Sequence, residues 1–159
     1  MSIAEKRLKD LGLELPDDNT GIRTGRGTCV YKIHEDLLFI KGLEPYGEDG
    51  APAFVGRLGG EITVEQGYRA ARLVGVRMLA VIRDALGSLD NVECVLKVMA
   101  LVNGVEGFTE LAAVADGFTD LMTEALGGRG MHARSDMGAT NLNNNVPIIC
   151  DAIIKIRGR

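Results

Sequence analysis

His132, Arg134 and Asp136 stand at alternate positions in one short stretch, Met131-His132-Ala133-Arg134-Ser135-Asp136-Met137-Gly138. Side chains repeat every second residue on an extended backbone. His132, Arg134, Asp136, Gly138 and Thr140 therefore share one face, and Ala133, Ser135, Met137 and Ala139 the other. A guanidinium and a carboxylate two residues apart on one face either form an ion pair in a crevice or floor a site for a charged small molecule. The Ala-Ser-Met-Ala face is the one expected to pack under helices. Upstream, Gly127-Gly128-Arg129-Gly130 looks like a phosphate loop in composition. It follows a helical stretch and so presents no helix N-terminus to an anion, and it reads as a helix stop.

The elements that must hold this strand follow from periodicity. Ser2 to Leu13 reads as a short amphipathic helix, with Ser2 and Glu5 spaced as a capping box. Asp17 to Gly27 is a polar loop in which Arg23 and Arg26 are candidates to meet an anion. Thr28–His34 and Leu37–Lys41 form a hairpin about Glu35-Asp36. A long loop crosses from Leu43 to Gly60, with room for a short strand at Ala53–Val55. Thr63 opens the clearest helix, capped with Gln66 and stopped at Gly87.

Val92–Val102 is a strand with Val92, Cys94, Leu96, Val98, Ala100 and Val102 on one face. A second helix runs from about Thr109 to Leu126, with Asp116-Gly117 as a point of interruption. Pro147–Arg157 is the last strand, and Ile149, Asp151 and Ile153 share its second face. The order predicts an α+β fold, with both long helices on one face of a mixed sheet. Val95, Met99, Leu101, Ile149 and Ile153 are left on an apolar face with no helices to cover it, which predicts burial against other subunits. The chain divides into an N-terminal helix and loop extension over 1–27 and a single domain over 28–159.

A chain of 159 residues with net charge −4 has neither the clustered cations nor the aromatic platforms of a nucleic-acid binder. No apolar run is long enough for a membrane span, and the expected location is the cytoplasm. Cys29, Cys94 and Cys150 each lie in an apolar run and read as buried reduced thiols. His34 and His132 are too far apart in sequence for a metal site, and no cofactor is expected.

Several segments together resemble one family. Ile40-Lys41-Gly42-Leu43-Glu44-Pro45, Gly56-Arg57-Leu58-Gly59, the helix opening Thr63-Val64-Glu65-Gln66-Gly67-Tyr68, Asp116-Gly117-Phe118-Thr119-Asp120-Leu121 and His132-Ala133-Arg134-Ser135 are similar to motifs of the Rid (reactive intermediate deaminase, YjgF) family. The match is closest to its chorismate-mutase-like branch. The resemblance implies a trimer with clefts between adjacent subunits. It also implies hydrolysis of an imine to a carbonyl compound and ammonia, with Arg134 clamping a substrate carboxylate. The family's water-activating glutamate falls on Ile149, with Asp151 two residues later, its serine before the glycine falls on Lys41, and an aromatic near the first strand falls near Thr28. Asp136 and Asp151 are thus the candidate catalytic carboxylates, and Arg134, Lys41, Thr28 and Asp116 the candidate ligand contacts. Two functions stay open. One is a Rid-type enzyme for small carboxylated imines, and the other a non-catalytic homotrimer that senses or sequesters a small acid.

Overall fold

The computed structural model describes residues 2–16 and 27–158. Arg23 and Arg26 lie outside the described residues. The elements are α1 (Ile3–Asp10), β1 (Tyr31–His34), β2 (Leu37–Leu43), α2 (Val64–Leu86), β3 (Val92–Asn103), α3 (Leu111–Leu126), β4 (Ala133–Ala139) and β5 (Ile148–Ile156). The strands form one sheet in the order β1-β2-β5-β3-β4, with β3 and β4 parallel and the other pairs antiparallel. The short hairpin from β1 and the crossover through α3 account for this mix, since a parallel neighbour needs a helix-length return. β4 is therefore an edge strand.

Helix ends follow local chemistry. Ser2 caps α1, its side chain accepting from the Glu5 amide at 3.1 Å while Glu5 accepts from the Ser2 amide at 2.7 Å. Thr63 and Gln66 do the same for α2, which ends at Gly87 in the left-handed conformation (φ 74°) that glycine adopts without a Cβ clash. α3 runs unbroken through Asp116-Gly117, contrary to the expected interruption. Gly117 is there for packing: a Cβ would lie 2.1 Å from the Tyr68 carbonyl oxygen of α2. The two helices cross at close backbone contact and cover one face of the sheet.

Leu38, Ile40, Val98, Ala100, Val102, Ile148, Cys150, Ala152 and Ile154 line that face, packed against Val74, Met78, Phe118 and Leu121. In β3 the alternation breaks. Register shifts near Val92–Cys94 and Val95–Lys97 put Val95 in the core at 3 % exposure and turn Leu96 outward at 40 %. A bulge inserts one residue and flips everything before it to the other face, so Cys94 and Leu96 leave the core face predicted for them. Of the cysteines only Cys150 is buried; Cys94 is half-buried and Cys29 exposed, because Cys29 precedes the strand predicted to hold it. Ala53–Val55 forms no strand; the long loop is tied instead by isolated bridges at Tyr46–Pro52 and Leu58–Ile62.

The faces of β4 are the reverse of those expected from composition. Arg134 pairs with Val98 and Asp136 with Ala100, so the charged pair lies on the helix-covered side. Met137, across from Leu101, lies on the open side and is 51 % exposed. At the sheet edge, α3 supplies polar partners to the charged face, which apolarity alone does not reveal.

Candidate functional site

Arg134 is the hub of a polar cluster between β4 and α3. Its side chain is only 14 % exposed. Nη2 donates to Asp136 Oδ2 at 3.2 Å and to Asp116 Oδ1 at 2.9 Å, and Nη1 donates to Thr119 Oγ1 at 2.7 Å. Nε lies 2.7 Å from Asp136 Oδ1, but off the hydrogen-bond direction, so charge alone holds that oxygen. Burial lowers the guanidinium's proton affinity; the hydrogen bonds to Asp116 and Asp136 outweigh it, and the net shift is upward.

The cluster extends to His132. Its Nδ1 lies 2.7 Å from the Gly130 carbonyl and its Nε2 3.0 Å from Thr119 Oγ1. A carbonyl only accepts, so Nδ1 carries the proton. Thr119 Oγ1 already accepts from Arg134 and gives its hydroxyl proton to Nε2. This chain of donors needs neutral histidine. Burial, first, and the charge of Arg134 depress the His132 pKa, against the opposing pull of Gly130 and Asp136.

Of the predicted site residues, the structure joins Arg134, Asp136 and Asp116 and separates the others from them. Asp151 faces the open side: it pairs with Met99, which also pairs with Ser135, and accepts from the Met99 amide at 3.2 Å. It stands two strands from β4, about 10 Å away, on the opposite face. Asp136 and Asp151 are therefore no catalytic pair within one chain. Lys41 lies in the β2 bulge beside β5, where a Cβ on its neighbour Gly42 would meet Ile149 Cγ2 at 2.7 Å. Thr28 is exposed and precedes β1.

Two members of the cluster, Thr119 and His132, carry roles that the sequence reading left unassigned. Both had a signal. Thr119 is three residues beyond Asp116 and so shares its helix face, and His132 alternates with Arg134. Tyr68 and Arg72 of α2 reach α3, where the Tyr68 hydroxyl donates to Asp120 at 2.7 Å and Arg72 forms a fork with Glu124 at 2.7 and 3.2 Å. Arg129 of the glycine-rich segment donates to the Val92 carbonyl at 2.7 Å, which fits the helix-stop reading.

A family profile described as "YjgF/chorismate mutase-like, putative endoribonuclease" matches residues 5–154. The chain belongs to the YjgF (Rid) family. Protein TCP17 of Trypanosoma cruzi is 33 % identical over 150 residues, covering 94 % of this chain and 91 % of that one. A crystal structure of a protein of unknown function from Agrobacterium tumefaciens matches with a TM-score of 0.88 at 33 % identity, over 97 % of this chain and 92 % of that one. One from Shewanella oneidensis, also described as a "putative endoribonuclease", matches with a TM-score of 0.89 at 27 % identity, over 98 % and 100 %. The chorismate-mutase-like α+β fold of this YjgF chain is thus shared over 97–98 % of its length with these two structures. Among the described residues, no helix is long and apolar enough to cross a membrane.

Proposed function

We propose that the protein is a homotrimeric Rid-type enzyme that hydrolyses small, carboxylate-bearing imines or enamines at the seams between its subunits. The observation that carries this reading is the division of its candidate residues. Arg134, Asp116 and Asp136 lie on the helix side at the free edge of β4, whereas Asp151, Ile149 and Lys41 lie around β5 and β2, and only a second subunit can bring two such sets face to face. The half-exposed apolar side chains of the open face, with Phe39 at 39 % and Met137 at 51 %, support association of copies there.

The reaction balances as an imine plus water giving a carbonyl compound plus ammonia. Arg134 recognises the carboxylate by charge, its fork shared with Asp136. Asp151, held by the Met99 amide, positions the water that adds to the imine carbon, taking over from the glutamate replaced by Ile149. Purified protein supplied with freshly generated imino acids should accelerate release of ammonia and 2-oxo acid, and Arg134→Ala should abolish the acceleration. Rates equal to buffer would end the enzyme reading.

A second reading, a non-catalytic homotrimer that binds a small acid, is favoured by Ile149 itself, which can neither deprotonate water nor protonate a leaving amine. Ligand-dependent thermal stabilisation lost in Arg134→Ala, without turnover, would select it.

A further inference from the structure

The seam between β4 and α3 does not end at Arg134. The two elements run in opposite directions, and their contacts form a ladder. His132 meets Thr119 at 3.0 Å, Arg134 Nη2 donates to Asp116 at 2.9 Å and to the Ala112 carbonyl at 3.4 Å, and Gly138 faces Leu111. Gly138 and Thr140 continue the Arg134 face of the strand, with Gly138 about 7 Å beyond Asp136. There the ladder opens into a cavity of about 560 Å³ at the C-terminal ends of β3 and β4.

Val105, Phe108 and Leu111 wall this cavity, and Gly138 lies at its floor. The walls are fixed. A Cβ at Gly59 or Gly104 would stand only 3.0 or 3.1 Å from Phe108, and the Val105 amide donates to the Leu58 carbonyl at 3.0 Å. Gly138 sits in regular strand backbone, so no turn requires glycine there. What glycine leaves is a gap. A Cβ at this position would touch both Leu111 methyls at 3.9 Å, so a single methyl group fills the space between strand and helix. At the rim, Arg57 Nη2 donates to the Gly104 carbonyl at 2.6 Å and the Arg57 amide donates to Glu61 Oε2 at 2.9 Å. That amide bond, above all, holds the Glu61 carboxyl below its ordinary range, and the exposed Glu106 lines the same rim. Two carboxylates against one guanidinium disfavour a second anionic group on a ligand.

We propose that this cavity receives the side chain of the substrate, so that the protein selects 2-imino acids with a large apolar side chain. The inference rests on the reading of Arg134 as the carboxylate clamp. Arg134 Nη2 already reaches Ala112, the neighbour of Leu111. A carboxylate held there directs the side chain through the gap between Gly138 and Leu111 and onto Phe108 and Val105. The cavity's size falls in the range of small-molecule sites. Burying a phenyl group in place of a methyl removes apolar surface from water and tightens binding by about tenfold or more. Gly138 is then the residue that determines specificity, by the side chain it lacks.

Isothermal titration of the full-length protein with three product-class acids tests this: 3-phenyl-2-oxopropanoate, 2-oxopropanoate and 2-oxoglutarate. The phenyl acid should bind at least about tenfold tighter than either of the others. Gly138→Ala, which strand backbone and an ordinary 3.9 Å contact both tolerate, should bring the phenyl acid and 2-oxopropanoate within about threefold of each other. Equal affinities in wild type, tighter binding of 2-oxoglutarate, or an undiminished phenyl preference in Gly138→Ala each overturn the proposal. So does a phenyl preference that persists in folded Arg134→Ala, because the clamp and the cavity would then be separate sites. Binding of none of the acids overturns it together with the carboxylate clamp. Release of ammonia from the imines of phenylalanine and alanine, followed in parallel, separates the two readings. Turnover of neither imine, with the phenyl preference intact and lost in Gly138→Ala, ends the hydrolase reading and upholds the cavity's role.

Discussion

Asp136 holds the arginine that the proposed reaction needs, so replacing it by asparagine should lower stability and raise affinity together. The two side chains are 14 % and 20 % exposed, with contacts at 2.7 and 3.2 Å. Breaking a fully buried pair costs about 3–5 kcal/mol and an exposed one under about 1. Asp116 and Thr119 stay in contact with Arg134, which places Asp136→Asn between these limits, at about 1–3 kcal/mol. For a chain of this size that is a fall of roughly 2–10 °C in Tm at fixed protein concentration. The same change frees Nε and part of Nη2 for a ligand carboxylate. A regained charged hydrogen-bond pair should tighten binding of a 2-oxo acid, the product class, by about tenfold to a hundredfold.

Thermal scanning and calorimetric titration of wild type and variant read both effects. Asp116→Asn is the control: its carboxylate is 53 % exposed, and its loss should cost less than about 1 kcal/mol. A variant that loses stability without any gain in 2-oxo acid affinity would refute the reasoning and leave Arg134 as a brace between β4 and α3.

Gly117→Ala should destabilise by roughly 3 kcal/mol, seen as a lower urea midpoint at unchanged m-value, because the new methyl meets a backbone carbonyl that cannot move without parting α2 from α3. His132 is held neutral with its pKa below the ordinary 6.5, so the unfolded chain binds the proton first and stability is lost as pH falls through and below about 6.5. Thermal scans between pH 7.5 and 5.5 should show this loss, and His132→Gln should flatten it. Met137→Asp or Phe39→Asp, on the open sheet face, should give particles of the 17.0 kDa chain mass in sedimentation, against three times that mass for wild type.

The helix capping boxes, the glycine stop at Gly87, the hairpin and the strands β3 and β5 were legible because each is encoded by neighbours within about four residues. So was membership of the Rid family, whose motifs are short contiguous segments. The inward and outward faces of β4 were not. Periodicity says which residues share a face, and it placed Arg134, Asp136 and His132 together correctly. It does not say which face meets the helices, since that depends on α3, whose Asp116 and Thr119 stand 18 and 15 residues before Arg134 and make the charged face the covered one. The bulges of β3 likewise escaped a two-residue period, and with them the burial of Val95. The separation of Asp151 from Arg134 is a property of sheet order, with β3 set between β5 and β4, and strand order is settled by long-range pairing that no local spacing records. The chain's own sequence thus determined which residues could do chemistry, while the tertiary structure decided that Asp136 and Asp116 already occupy the arginine and that Asp151 faces the other way.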